Sequence, residues 1–389
     1  MQYIPDTPEG TRDRLFAECR ERRSVQDALT ALFARRGYAE IITPELEYYD
    51  LFTRAGNAMP QERMVKVIDR SGKILVMRPD CTTPIARVAA TKLKDMILPQ
   101  RLYYNQTVFR SGESHVGGST EIAQCGVELI GAAGEKADLE IIVMAVDALR
   151  ACGLEDFHIE IGHPGFFRSI ARELDLDSEE KETLRSLIAG KEFAALAEFL
   201  EPHKGVPASE ALLRLSRLFG PVEVLDEAVK LRGEDASISY LREIYKRLCQ
   251  AGYGDYIRFD LGLLNQMEYY TGMVFRGYVA GAGTAVLSGG RYDSLVESFG
   301  RPAEATGFAV NVDAAARCLP PAVLPELEMV VHYSLDMLAE GLRLVDSMPA
   351  GMCELSPCRT LESSENLARE KGAKRMVILE HGQKREVIL

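Results

Sequence analysis

RLYYNQTVFRSGESHVGGSTEIAQCGVELIG, residues 101 to 131, reads as two strands joined by a loop, and its reading decides the fold. Side chains alternate across a strand, so Gln124 and Glu128, four apart on the returning strand, share one face. Arg110 closes the first strand. A strand–loop–strand of this kind can gather phosphates only if its loop supplies cations, and SGESHVGGST holds no lysine or arginine.

Upstream, apolar residues at Val25, Leu29, Leu32 and Phe33 have the spacing of an amphipathic helix from Cys19 to Arg36, with Gly37 as its stop. The strand-like YAEIITPELEYYDLF follows; Pro44 cannot donate to a ladder, which places this segment at an edge or an interface. MVKVID and KILVMR flank RSG as a hairpin. In RPDCTTPIARVAATKL, Thr83 suits a helix cap and Pro84 the first helical position. Downstream of the opening strands, ADLEIIVMAVDALRACG is an amphipathic helix with a glycine end. Strand pairs broken by helices predict an α+β fold, an antiparallel sheet flanked by helices.

Residues 165 to about 250 turn helical and rich in Leu, Ala, Glu and Arg, the pattern of a helical insertion. Strand patterns resume with YIRFDLG, EYYTGMVFRGYV and TAVLSGGRYDSLV, and ATGFAVNVDAAARCL reads as a closing helix. LPPAVLPE, with three prolines in eight residues, is a linker. It separates a core of residues 1–320 from a small C-terminal α/β domain, 325–389, of β-α-β-α-β pattern.

The 389 residues carry 58 acidic and 46 basic side chains, a net charge of −12, without a run of five Lys or Arg. Nucleic-acid affinity rests largely on phosphate neutralisation, so no nucleic-acid partner is expected. MQYIPDTPEG lacks a basic n-region and an apolar h-region, and no apolar run approaches the roughly 18 residues of a span, so a cytoplasmic protein without a membrane partner is expected. Eight cysteines without a CxxC pair read as buried thiols, and the six histidines show no HExxH or HxH arrangement; neither metal nor cofactor is implied.

In their order and spacing, RLYYNQTVFR, QCGVELIG, EYYTGMVF, SGGRYDSLV and GFAV resemble the catalytic core of class II histidyl-tRNA synthetases across roughly residues 5 to 320. The resemblance implies a class II aminoacyl-tRNA synthetase-like sheet and a two-fold interface built by the first helix and the Pro44 strand. It also shows what is missing. Where the synthetases carry an acidic residue, loop arginines, a carboxylate-binding arginine and a phosphate-clamping arginine, this chain has Gly112, Gly118 and Thr120, Asn265 and Ala314. Asn311 and Asp313 likewise replace a glycine and mark the acidic place before Ala314. Losing one preorganised group typically costs about 10²- to 10³-fold in rate, so several losses leave no useful aminoacylation.

The amino-acid pocket of the family is retained. By resemblance, Asp80, Thr82 and Gln124 hold an ammonium, and Glu128, Tyr269 and Tyr270 surround an imidazole. Each also has a structural reading: Asp80 and Thr82 as helix-start residues, the tyrosines as half-buried strand aromatics, Gln124 and Glu128 as neighbours on one face. Arg110 can pair with a carboxylate in the cleft, and SGGRYDSLV is equally a Gly-Gly turn, so Arg291 receives no role.

A synthetase-like core without adenylation groups resembles the ATP phosphoribosyltransferase regulatory subunits. That resemblance implies a non-catalytic subunit of a glycosyltransferase complex that works with a short-form catalytic subunit in the first step of histidine biosynthesis. It further implies self-association as a dimer within a hetero-oligomer, and histidine as effector. The C-terminal domain is shorter than a typical anticodon-binding domain, of about 100 residues by the same resemblance. Two alternatives remain at this level: a divergent histidyl-tRNA synthetase, which pyrophosphate exchange would reveal, and a synthetase-like tRNA-binding factor, which salt-dependent tRNA binding would reveal.

Overall fold

The computed structural model describes residues 6–53, 59–111, 119–264 and 270–389. Helix α1 (Ala17–Arg35) buries Val25, Leu29, Leu32 and Phe33, the residues of the apolar stripe, and ends before Gly37, whose φ of 84° is left-handed. The chain continues through β1 (Ala39–Glu40), β2 (Leu46–Tyr48), α2 (Asp50–Thr53), the antiparallel hairpin β3 (Lys66–Ile68) and β4 (Ile74–Met77), and α3 (Thr82–Ala90). The long strands β5 (Gln100–Phe109) and β6 (Glu121–Ile130) pair antiparallel through their whole length. Then come α4 (Gly134–Ala151), β7 (Phe157–Gly162), helices α5 to α10 between Pro164 and Gln250 with β8 (Phe219–Gly220) among them, and β9 (Ile257–Asp260), β10 (Val274–Val279), β11 (Leu287–Arg291), β12 (Ala305–Asn311) and α11 (Val312–Ala316).

Among the described residues the large sheet runs β1-β5-β6-β12-β11-β10-β7-β9-β8. Its middle is antiparallel, as expected, but β1 pairs parallel with β5 and β7 parallel with β9, so the sheet is mixed. Pro44 falls between β1, at the sheet edge, and β2, which belongs to a separate three-stranded sheet β2-β4-β3.

The helical reading of ATGFAVNVDAAARCL is wrong for its first half. Ala305–Asn311 is the central strand β12, held between β6 and β11. Phe308 and Val310 face the core under α1 and α4, while Ala305, Gly307 and Ala309 face the other side; burial on both faces of a central strand outweighs the helix preference of alanine. The strand ends where the Asn311 side chain accepts from Ala314 N at 3.0 Å and caps α11.

The alternation of β6 divides the interior. Cys125, Val127 and Leu129 pack with α1, α4 and the helices beyond them. Ile122 and Ile130 lie on the opposite face with Leu102, Tyr104 and Val108 of β5 and Ile85, Ala86 and Ala89 of α3. That second face is the one the site occupies.

Contacts divide the chain after Pro320. The smaller unit orders β13 (Met329–Tyr333), α12 (Leu338–Ser347), β14 (Cys353–Leu355), α13 (Leu361–Glu370), β15 (Arg375–Glu380) and β16 (Gln383–Ile388) into the sheet β14-β13-β15-β16. The first three of these strands in chain order run parallel, and β16 is an addition to the expected pattern. Its sequence QKREVI is mostly exposed, a charged edge strand whose signal is the turn His381-Gly382, with φ of 50° and 71°.

Cys19 and Cys249 are exposed and Cys318 and Cys358 half-buried, so only four of the eight thiols are buried as expected. Among the described residues no helix is long and apolar enough to cross a membrane.

Candidate functional site

The site is built where α3 begins over the pocket face of β6. Thr82, in the first turn of α3, donates its hydroxyl to Glu128 Oε1 at 2.7 Å. Tyr292, just beyond β11, donates to Glu128 Oε2. Glu128 is 2% exposed, and burial pushes its carboxyl up to about 8 against the pull of the Tyr292 and Thr82 hydroxyls, with nearby Asp80 adding to the rise. Near neutrality this group holds a proton, so it can give a hydrogen bond as well as accept one.

Asp80 is buried beside it and serves α3. Its Oδ1 accepts from Thr83 N at 2.7 Å and its Oδ2 from the Thr83 hydroxyl at 3.1 Å, so Asp80, not Thr83, caps the helix. Burial raises its carboxyl from the ordinary range, opposed by the Thr83 hydrogen bonds and the charge of Arg110. Arg110 itself donates Nε to Pro79 O at 2.9 Å.

Glycines make the room. Glu128, Gly307, Gly290 and Val274 form one row across β6, β12, β11 and β10. A Cβ at Gly307 would collide with Glu128 Oε2 and with Val127 O, and one at Gly290 would lie 2.6 Å from the Tyr270 ring. Gly126, between Gln124 and Glu128 on the same face, leaves space for Tyr104, whose Oη would be 2.6 Å from a Cβ there. Gln124 is buried in a row with Gln106 and Asn311 on the neighbouring strands, two pleats or about 13 Å from Glu128. The structure therefore joins Thr82 and Glu128 directly, sets Asp80 and the Tyr270 ring alongside, and holds Gln124 at the far end of the same face.

Tyr269, Gly112, Gly118 and Asn265 lie outside the described residues. Thr120 donates its N–H to Gly10 O at 2.7 Å, so the place of a loop arginine is taken by backbone packing. Ala314 is buried, with its methyl in the core, and Asp313 accepts from Arg14 at 3.0 Å.

Sequence reasoning missed Tyr292, Tyr104 and the glycine floor. The signal available was parity: Tyr104 shares the face of Gln106, and Gly290 that of Tyr292, but only the strand register shows which glycine lies under which side chain. Arg291 points to the other face and pairs with Asp138 of α4 at 2.7 Å.

The family model described as histidyl-tRNA synthetase matches residues 10–315. A protein of Clostridium kluyveri named ATP phosphoribosyltransferase regulatory subunit is 43% identical over 324 residues, covering 82% of this chain and 82% of that protein. One of the same name from Clostridium novyi is 35% identical over 387 residues, covering 96% and 92%. Among solved structures, an ATP phosphoribosyltransferase regulatory subunit/histidyl-tRNA synthetase from Bacillus halodurans gives a TM-score of 0.83 at 29% identity, with 97% of this chain and 98% of that one covered. A histidyl-tRNA synthetase from a Nostoc species, at 20% identity and a TM-score of 0.77 over 100% and 97% of the two chains, shares the fold.

Proposed function

The chain belongs to the family of ATP phosphoribosyltransferase regulatory subunits, and on that premise we propose that it activates a short-form catalytic subunit, performs no chemistry itself, and confers a response to histidine through the pocket around Glu128. The complex would be a cytoplasmic glycosyltransferase of histidine biosynthesis. The observation that carries the reading is the contrast at the two ends of the site. Ala314 is a buried methyl where the synthetases clamp phosphate, whereas Thr82, Glu128 and Tyr292 form a hydrogen-bonded polar cluster.

An effector acts only through a difference in affinity between two states, so histidine must bind the inhibited arrangement of the complex more tightly than the active one. Asp80, Thr82 and Gln124 are the proposed partners of its ammonium and Glu128, Tyr269 and Tyr270 those of its ring. Without the arginine replaced by Asn265, the carboxylate goes unclamped. The resulting loss of a charged hydrogen bond, roughly 1.5 to 3 kcal/mol, suits a ligand whose concentration is to be read.

The isolated chain is expected to give no histidine-dependent ATP–pyrophosphate exchange and no phosphoribosyl-ATP, while its addition to a short catalytic subunit raises that subunit's rate to a plateau at fixed stoichiometry. Exchange by the isolated chain would refute the silence; a flat partner rate would refute the activation.

A dimer is also expected. The small sheet β2-β4-β3 leaves Leu46, Tyr48 and Val67 exposed on one face, an apolar surface of the kind that isologous pairing covers, next to the edge segment with Pro44. Sedimentation at micromolar concentration should show twice the chain mass, and Val67→Lys should shift it towards the monomer. A wild-type monomer would sink the assignment.

A further inference from the structure

In the helical stretch between β7 and β9, α5 (Pro164–Ala171) and α6 (Ser178–Ala189) each turn one stripe towards an open cleft of about 500 Å³. On the first, Phe167, Arg168 and Ala171, with Arg172 just past the helix end, recur at the spacing of a single helix face; on the second, Lys181, Glu182 and Arg185 do the same. Phe167 and Ala171 are nearly buried and form the floor, while two cations stand on each wall. None of these residues belongs to α1, the Pro44 segment or the small sheet expected to pair between copies.

The one carboxylate lining the cleft is already engaged. Glu182 accepts from Arg185 Nε at 2.7 Å and from one of its Nη, which holds the carboxyl below its ordinary value. Arg168 donates one Nη to Thr271 O at 2.8 Å, one residue beyond Tyr270, and neither it nor Arg172 nor Lys181 has an ion pair among the described residues. Partial burial and the charge of Arg172 both lower the Arg168 guanidinium from its ordinary value, so two like charges stand close and uncompensated. Of the acidic residues nearby in sequence, Asp177 and Glu180 close a reciprocal helix cap at 2.8 Å, and Glu173 pairs with Arg232. In a chain of net charge −12, four cations against one carboxylate is a local reversal of sign.

We propose that the cleft binds a phosphorylated small molecule with an apolar portion, its phosphate held between the cations of α5 and α6 and the rest laid on Phe167 and Ala171. Guanidinium forks match phosphate oxygens two at a time, and the Lys181 ammonium adds a point charge. The volume lies in the range of small-ligand sites, roughly 300 to 1,000 Å³. A protein interface needs about 20 to 30 residues a side, more than two helix stripes supply. The site is separate from the histidine reading and does not depend on it.

Calorimetric titration of the full chain, freed of phosphate and sulfate, with phenyl phosphate, inorganic phosphate and benzyl alcohol tests the assignment. Saturable binding of phenyl phosphate below roughly 1 mM is expected, about fivefold tighter than inorganic phosphate because the ring reaches the floor, with none of benzyl alcohol. Arg172→Gln combined with Lys181→Gln, both exposed and outside any described ion pair, should weaken phenyl phosphate about tenfold in a protein with unaltered melting. Lys230→Gln, on α9 (Glu223–Arg232), should leave binding unchanged. Absence of saturable binding overturns the proposal, as do equal affinity for the two phosphates and binding that the double variant leaves unchanged. A wild-type chain that binds no phenyl phosphate, with a double variant that no longer co-sediments with the short catalytic subunit, would assign the cleft to a protein partner and overturn it as well.

Discussion

Arg291→Met is expected to cost about 3 to 5 kcal/mol in denaturant unfolding, the range for breaking one side of a buried ion pair. Arg291 joins β11 to α4 on the helix-covered face: it meets Asp138 Oδ1 at 2.7 Å through Nη2 and 3.0 Å through Nε, and reaches Ala132 O and Gly134 O at 3.3 and 3.2 Å. Asp138 is 1% exposed, so methionine would leave its charge buried, with the Tyr240 hydroxyl still donating to it. The side chain of methionine is close enough in length to avoid a large cavity, so the loss is electrostatic rather than steric. Arg291→Met with Asp138→Leu should therefore recover part of the stability, the remainder reflecting the orphaned Tyr240 hydroxyl. A cost below about 1 kcal/mol for the single change would mean that the pair contributes as weakly as one on the surface.

Arg291 also shows where sequence reading stops. Adjacent in sequence, Arg291 and Tyr292 go to opposite faces of one sheet, the first to a structural pair and the second to the pocket. Period-two alternation says that they must part, but not which face holds α4 and which holds α3. The Thr82–Glu128 contact was half legible: a helix start and an interior strand carboxylate were both marked, yet their meeting depends on α3 crossing β6, a relation between segments 46 residues apart. Asp80 was read as a ligand or a helix-start residue, and its carboxylate accepts from Thr83 at the start of α3, which is compatible with either role. The error at β12 has the same origin. Ala305–Asn311 runs without a break into the alanines of α11, and only the neighbours on both sides, β6 and β11, mark it as a strand.

Glu128→Gln is expected to flatten the pH dependence of both stability and histidine affinity. The carboxyl sits at about 8 in the folded chain against an ordinary 4.5. A group whose folded value is raised contributes stability that is whole below its unfolded value and is lost as pH climbs through the folded one. Wild-type protein should thus lose stability between about pH 5 and pH 8, by roughly a few kcal/mol at 1.36 kcal/mol per pKa unit, and the glutamine variant should lose much less across that window. For the ligand, an imidazole of ordinary pKa near 6.5 beside Glu128 forms a pair that holds a single proton between about pH 6.5 and 8. Whichever partner carries it, the hydrogen bond has a donor and an acceptor, and outside that window the pair gains or loses a proton and weakens or changes sign. Glutamine can donate from its amide or accept at its carbonyl, but it cannot take up or release a proton, so the sharing of one proton with the ring is lost. Calorimetric histidine titrations of the assembled complex at pH 6, 7 and 8.5 should accordingly show wild-type affinity highest at pH 7, where the pair shares one proton, and Glu128→Gln weaker by about tenfold at that pH with less change between pH 7 and 8.5. If histidine affinity and its pH profile are the same in both proteins, the effector does not reach Glu128, and the buried carboxyl with Thr82 and Tyr292 serves the sheet alone.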